Sequence, residues 1–462
     1  MVIFGNLLIN ATNKYPSFLL NLTSFRRRIL RSHELKLVMG MLDKNSVYTN
    51  FTSEEQVLYE KLSIERQFLK NKDIRNVERL LLDQKVEATN ARDDFRFTVQ
   101  ITHACNMNCY YCFEEDYRNY TFMTEDQVDA IQNFYYIASY ESGVTAHIPY
   151  IRITGGEPLL NDQTVHMVNY ISKKWDSSKL IVYTNGVNLL KYYNELPISK
   201  VHEFCISLDG IKDIHLARRY NNKRVSDDIY HDIINGIKKL LSNDQKVRIK
   251  VTIDKHNYLF VSDLLAYLQN EHILDSPHLN NDINVVNDFS NPLDINEKYN
   301  NSEDIEKMKS YFSDELGMHN MNFYHCFSCL TKILGRDHNS RMLPNYNRCD
   351  TRFLSNYFFS PNGSVYLCDC LDIQKGIVGT YYPEVSFNGE KVMELANRNV
   401  FDDQECKECI YKFVCLGGCP MIAEMKGVKK YCGGFKDSKL IDHFSFLYLG
   451  NKKTITKNFG EE

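Results

Sequence analysis

Cys105, Cys109 and Cys112 form a C-x-x-x-C-x-x-C array inside eight residues. Three thiolates on one short loop are a soft donor set, suited to an iron–sulfur cluster or to zinc. A structural zinc site closes with a fourth ligand, and His103 is the only nearby candidate. Three ligands without an evident fourth would leave one iron of a cluster open to another molecule; the alternative is a small structural zinc loop. A second group lies toward the C-terminus, where Cys406, Cys409, Cys415 and Cys419 are separated by two, five and three residues and Cys432 follows. Upstream, Cys349 and Cys368 bracket Gly363, and Asp369 follows Cys368 directly. Buried structural cysteines would be scattered, whereas these are clustered.

The chain has 462 residues, 14 of them cysteine, and a formal net charge of -4. Lys and Arg are interleaved with Asp and Glu, so nothing points to nucleic acid or to a membrane surface. No apolar run reaches the length of a spanning helix. The apolar stretch from Val2 to Ile9 has no basic region before it and no small-residue cleavage site after it. It reads as a folded edge rather than a signal peptide, which predicts a cytoplasmic protein whose thiols stay reduced and available to metal.

Strands are predicted over Phe95 to Ile101, Tyr150 to Thr154, Leu180 to Thr184, Glu203 to Leu208 and Val247 to Ile253. Between them run helices, one marked by Ile229, Ile233, Ile237 and Leu241, another opened by a capping box of Thr124 and Gln127. Such alternation predicts a parallel sheet built from right-handed crossovers, closed fully or partly into a barrel. Chemistry in that architecture sits at the C-terminal strand ends. The cysteine array follows the first strand. Thr154-Gly155-Gly156-Glu157-Pro158 ends the second, Thr184-Asn185-Gly186 the third and Ser207-Leu208-Asp209-Gly210 the fourth. A Gly-Gly-Glu turn permits close approach and offers acceptors to an ammonium group; the Asn-Gly and Asp-Gly sequences taken singly read as turns.

This series resembles the radical S-adenosylmethionine (SAM) superfamily, whose signature is the same cysteine spacing with an aromatic residue before the last cysteine, as Tyr111 stands here. The resemblance implies a partial (β/α)6 barrel in which the three cysteines hold a [4Fe–4S] cluster. SAM would bind the open iron and be cleaved to methionine and a 5′-deoxyadenosyl radical. Gly155, Gly156 and Glu157 would receive the methionine ammonium. Ser207 and Arg219, or its neighbour Arg218, would contact the carboxylate and ribose region.

The C-terminal cysteines resemble the SPASM domain found after the barrel in radical SAM enzymes that act on peptides. The resemblance implies two auxiliary [4Fe–4S] clusters, one on Cys406, Cys409, Cys415 and Cys432, the other on Cys349, Cys368 and Cys419. The family's usual fourth ligand for the second set is missing, since Leu343 stands near its place. Cys329, Cys326, Cys370 or an open iron would complete it. By the same resemblance Asp369 matches a catalytic base of sulfatase-maturing enzymes, with a solvated loop carboxylate as the alternative. A pair of zinc sites is the alternative for the whole region.

The expected organisation is an α/β chain with a mainly helical N-terminal extension (1–93), a radical SAM core (94–300), a linker (301–340), a cysteine-rich SPASM domain (341–440) and a tail (441–462). Within this plan 279–304, rich in Asn and Asp, is a boundary or surface linker. The extension would be a degenerate leader-peptide recognition element with Phe18 to Leu22 as an edge strand. The expected activity is maturation of a ribosomally made peptide through a thioether or carbon–carbon crosslink, with a peptide or protein substrate and a reductant such as flavodoxin or ferredoxin as partners. The rivals are a sulfatase-maturing enzyme and, outside catalysis, an iron–sulfur electron carrier or zinc scaffold.

Overall fold

The computed structural model describes residues 2–3, 6–9, 18–21, 27–44, 48–64, 79, 95–112, 114–115, 118–142, 147–219, 229–286, 304, 307–308, 310–318, 356–368, 376–396 and 403–409, together with 412, 417–418, 420, 423, 427–428 and 430. Near the N-terminus, β1 (Val2–Ile3), β2 (Asn6–Ile9), β3 (Phe18–Asn21) and β4 (Arg27–Ile29) form an antiparallel sheet in chain order. Helices α1 (Ser32–Asp43) and α2 (Ser53–Ile64) follow, and Leu19, Leu30, Val38, Met41, Phe51, Leu58 and Leu62 make a small core of their own. The described part of the extension is mainly helical, as expected, but it opens with a small sheet that the sequence did not reveal. Strands of two to four residues are too short to show a period of two. Phe18–Asn21 is a strand, as expected, but it is interior: β3 pairs with both β2 and β4, leaving β1 and β4 at the edges.

The main sheet is parallel where the sequence predicts it. Its strands β5 (Arg96–Gln100), β6 (Tyr150–Thr154), β7 (Lys179–Thr184), β8 (Val201–Ser207), β9 (Val247–Ile253) and β10 (Leu279–Val285) lie side by side in chain order. The sheet does not close on itself, so the barrel is partial. Helices α3 (Glu125–Ser142), α4 (Asp162–Lys174), α5 (Leu189–Tyr192), α6 (Lys212–Arg219), α7 (Ile229–Leu241) and α8 (Val261–Asn270) fill the crossovers. In β9, Val247, Ile249, Val251 and Ile253 are buried while Arg248, Lys250 and Thr252 are half-buried on the other face. On α7, Ile233, Ile237 and Leu240 are 0% exposed, each contributing about 1.5–3 kcal/mol by burial. The expected capping box opens α3: the Thr124 N–H donates to Gln127 Oε1 at 2.9 Å and the Gln127 N–H donates to Thr124 Oγ1 at 3.3 Å.

Two expectations need correction. The segment 279–304 is not linker throughout, because its first seven residues are β10, paired with β9 from Leu279↔Val247 to Val285↔Ile253. An edge strand of the sheet is paired on one side only, so Asn280, Asn281 and Asp282 are tolerated there. Within 301–340, Met308 and Phe312 are 0% exposed and belong to the barrel core, so the described part of this stretch packs against the barrel.

Beyond the barrel, β11 (Asn356–Phe359) pairs in parallel with β5, and β12 (Ser364–Tyr366), β13 (Ile377–Thr380) and β14 (Ser386–Phe387) continue the same sheet antiparallel. Phe134 and Phe97 pack against Phe359 with ring centroids 5.2 and 5.0 Å apart. Helices α9 (Gly389–Ala396) and α10 (Gln404–Glu408) follow. Among the described residues, no helix is long and apolar enough to cross a membrane.

Candidate active site

Cys105, Cys109 and Cys112 lie on the loop leaving β5, at the C-terminal end of the parallel strands. Two supports fix that loop. On one side Gly156 N–H donates to Thr102 O at 2.8 Å and Glu157 N–H to Ala104 O at 2.9 Å. This contact explains both glycines. A Cβ at Gly155 would lie 2.7 Å from Thr102 O, and one at Gly156 would lie 2.3 Å from Ala104 O. On the other side Asn108 N–H donates to Arg219 O at 3.1 Å and Tyr110 N–H to Arg218 O at 3.3 Å, so the end of α6 grips the loop through its carbonyls.

Glu157 is 1% exposed. Its carboxylate accepts from the Leu159 N–H at 2.8 Å, the Thr184 hydroxyl at 2.6 Å and the Asn185 N–H at 2.7 Å. Oε2 carries only the last of these, which leaves it acceptor capacity. Burial raises its pKa, partly offset by those three bonds. Asn185 also reaches the cysteine loop, donating from Nδ2 to Asn106 Oδ1 at 2.7 Å.

Behind the loop lies a buried charge network. The Tyr111 hydroxyl donates to Asp209 and accepts from Arg219 Nη1 at 2.6 Å. The Tyr110 hydroxyl donates to Asp254 and accepts from Arg218 Nη1 at 2.8 Å, which is itself 2.8 Å from Asp254 Oδ1. Arg218 and Arg219 are 5% and 9% exposed. The two arginines that sequence alone could not separate now differ in role. Arg218 is held by Asp254, Tyr110 and Thr252 O, whereas the Arg219 guanidinium meets Tyr111 and Met107 Sδ and influences Cys109 and Cys105. Ser207 is half-buried at the end of β8, and its hydroxyl has no partner among the described residues.

Burial pushes the Cys105 thiol up to about 12, with the nearby Glu157 charge adding to the rise. Burial also raises Cys109. Against this, Arg118 donates from Nη1 to Met107 O at 3.0 Å and to Asn108 Oδ1, so it is anchored to the loop. Burial lowers its pKa, but the thiols of Cys112, Cys105 and Cys109 around it outweigh that and raise it. A guanidinium facing three thiols favours their ionised, ligating form. No disulfide joins the described cysteines. Among the described residues no three His, Cys, Asp or Glu side chains converge on one ion-sized point. Thiolates that each bind a different iron need not converge, so the donor set fits a cluster better than a single zinc.

Sequence reasoning missed Arg118, Tyr110 and Asp254. A lone arginine six residues past Cys112 carries no motif signal, whereas the doublets Tyr110-Tyr111 and Arg218-Arg219 were visible and pair one to one. His103 proves to be a tether rather than a ligand candidate. Its Nε2 lies 3.1 Å from Ser360 Oγ and its Nδ1 lies 3.3 Å from Asn119 Oδ1. Among the C-terminal site residues, Cys368 is half-buried just after β12, Cys406 lies on α10 and Cys409 caps its C-terminal end, and the first turn of α10 is capped by Asp403 accepting from the Cys406 N–H at 2.9 Å. Cys329, Cys349, Asp369, Cys415, Cys419 and Cys432 lie outside the described residues.

Comparison with known proteins bears on the same region. GTP 3′,8-cyclase of Clostridium perfringens is 26% identical over 155 residues, 34% of this chain and 45% of that protein. Probable GTP 3′,8-cyclase of Methanococcus maripaludis is 32% identical over 124 residues, 26% of this chain and 39% of that protein. The chain thus spans about half the length, or less, of these curated relatives. Among solved structures, Streptococcus suis SuiB bound to its precursor peptide SuiA is similar with a TM-score of 0.54 at 14% identity, over 94% of this chain and 98% of that one. The structure of anSMEcpe with bound AdoMet and the Kp18Cys peptide is similar with a TM-score of 0.51 at 16% identity, over 79% of this chain and 99% of that one. These likenesses speak for the fold. The model of the radical SAM superfamily matches residues 99–266, from the end of β5 into α8, the stretch that carries the cysteine loop and both of its supports: over this stretch the chain carries a radical SAM domain.

Proposed function

We propose that this chain is a radical SAM enzyme that modifies a peptide, acting as the maturase of a ribosomally made precursor and forming a thioether or carbon–carbon crosslink. One observation carries the reading: the three-cysteine loop is gripped between the Gly-Gly-Glu turn and the Arg218–Arg219 carbonyls at the mouth of the half-barrel. Cys105, Cys109 and Cys112 would hold a [4Fe–4S] cluster. When bound, that cluster supplies the electron that splits SAM into methionine and a 5′-deoxyadenosyl radical able to abstract hydrogen from a substrate.

The chain's own residues would do the rest. The spare acceptor capacity of Glu157 Oε2, beside the backbone of Gly155 and Gly156, would take the SAM ammonium. The Ser207 hydroxyl and Arg219 guanidinium would take the carboxylate and ribose region. Tyr111, tied to Asp209 and Arg219, would hold the wall behind the nucleotide rigid and dry. Cys349, Cys368, Cys406, Cys409, Cys415, Cys419 and Cys432, with Cys329 as the fourth ligand of the incomplete set, would carry two auxiliary clusters. Asp369 would serve as base. The edges of the N-terminal sheet, at β1 and β4, are where a leader peptide would add a strand.

Support for a peptide substrate comes from the likeness over 94% of the chain to SuiB, solved with its precursor peptide. The likeness to anSMEcpe, solved with a cysteine peptide, favours sulfatase maturation as the second reading. The GTP 3′,8-cyclases match too short a span to carry their substrate across.

Anaerobically reconstituted protein should bind roughly twelve irons if all three clusters are cubane. Given SAM and a reductant it should release 5′-deoxyadenosine, and the triple variant C105A/C109A/C112A should not. Stoichiometric zinc without iron, or 5′-deoxyadenosine from the triple variant, would overturn the proposal.

A further inference from the structure

The face of the half-barrel turned away from its helices is charged, and two of its cations make no ion pair among the described residues. On β6 to β9 the residues packed beneath the helices, such as Ile151, Ile153, Val182, Phe204, Ile206 and Ile249, are 0% exposed. Alternating with them are Arg152, Tyr183, Glu203, Cys205, Arg248 and Lys250, which share the opposite face. The register sets Arg152 beside Ile181, Cys205 beside Arg248, and Ser207 beside Lys250.

Of the four cations on this face of β6 to β9, Arg248 is neutralised and Lys179, exposed at the start of β7, donates to Ser199 O at 2.9 Å. Glu203 Oε2 lies 2.8 Å from Arg248 Nη2 and accepts from the Cys205 thiol at 3.6 Å. Arg152 and Lys250 remain. Both are half-buried, and neither makes a side-chain hydrogen bond or ion pair among the described residues. Asp282 of β10 is the register neighbour of Lys250, yet the two make no ion pair. A half-buried cation that no described carboxylate pairs with is placed to gain from an anion entering the site.

Resting on the peptide-modifying reading above, we propose that this inner face binds an acidic peptide segment, with Arg152 and Lys250 each meeting a carboxylate. The two cations stand three strands apart at ~4.8 Å per strand, and the register sets Lys250 four residues further along at ~3.3 Å each, so their backbones are roughly 20 Å apart, the span of about six extended residues. One small carboxylate cannot bridge that distance, whereas an extended chain with acidic residues can.

The test uses the reconstituted holoenzyme with SAM and three fluorescent octapeptides, in which glycine alternates with aspartate, serine or lysine. Fluorescence anisotropy should show the aspartate peptide binding at least ~10-fold more tightly than the serine peptide, with the margin shrinking as salt rises. Both R152E and the milder R152Q should reduce that margin about tenfold, K250Q should reduce it likewise, and R152E should strengthen binding of the lysine peptide. Equal binding of the aspartate and serine peptides by the wild-type enzyme would sink the inference, as would an unchanged margin in folded R152Q and K250Q. The same wild-type preparation reports on the parent reading. If it holds iron and releases 5′-deoxyadenosine but shows no charge preference, only the substrate class falls; if it does neither, the radical SAM reading falls first.

Discussion

Replacing Gly156 with alanine tests whether the Gly-Gly-Glu turn is there to hold the cysteine loop. The added Cβ would sit 2.3 Å from Ala104 O, 2.6 Å from Ala104 C and 2.8 Å from His103 O, all backbone atoms that no rotamer change can move aside. The turn must therefore retreat from the Thr102–Ala104 segment and give up the bonds from Gly156 N–H and Glu157 N–H. Each backbone hydrogen bond contributes about 0.5–1.5 kcal/mol, and forcing an extra carbon into a packed contact costs about 1–3 kcal/mol. Together G156A should lose roughly 2–6 kcal/mol, a large part of a typical domain's stability. Urea unfolding should show a lower midpoint with an unchanged slope. Iron content after reconstitution should fall, because the three sulfurs lose one of their two supports. The control is G389A, where an added Cβ meets nothing within 4 Å and the change should stay within about 0.5 kcal/mol. A G156A protein with the wild-type midpoint and full iron would refute the backbone-approach argument.

Three further outcomes follow from the site. R118Q removes a guanidinium that acts on all three thiols, so the midpoint potential of the SAM-binding cluster, read by redox titration with EPR, should move to more negative values; an unmoved potential would show that Arg118 only braces the loop. In iron-free protein, Cys105 should alkylate with a rate still rising about tenfold per pH unit up to pH 10, because its thiol titrates near 12 and only the thiolate reacts. Mass spectrometry showing a plateau near pH 9 would contradict this. Lys430 and the Cys406 N–H hold the Asp403 carboxyl down at about 2. A depressed carboxylate stabilises above its unfolded pKa of 3.8 and loses that contribution as pH falls through about 2. D403A should therefore weaken the first turn of α10 by about 1 kcal/mol at pH 7, the usual worth of an N-cap. Hydrogen exchange at Cys406 and Lys407 should speed up in that variant, and unchanged exchange would dismiss the cap.

The barrel was legible because its signals are local. β6 and β9 end where alternating Ile and Val end, and α7 follows its apolar spacing, since burial of one face dictates both patterns. The cysteine loop was legible because ligand spacing is sequence spacing. What escaped was set by partners distant in the chain. Asn280 to Asp282 look like linker until β9 supplies a parallel neighbour, and Asn356–Phe359 carries no mark that its partner is Arg96–Val99. The site shows the same limit. Gly155 and Gly156 were assigned to ligand approach, and the structure adds that they admit the chain's own backbone. Glu157 is bound to β7 as well as aimed at the site. The long-range pairing of Arg218 with Tyr110 and Asp254 left no trace in spacing.

Because β11 lies against β5, the strand that launches the cysteine loop keeps one edge unsatisfied until some 260 further residues have been made. His103 and Gln127 likewise wait for Ser360 and Pro361. During synthesis the half-barrel therefore carries an open β-edge next to the cysteine loop, and such edges recruit other chains. A nascent chain stopped before residue 356 should aggregate through that edge. Cluster loading is then best timed after the C-terminal strands have docked, which ties assembly of the radical site to completion of the whole polypeptide.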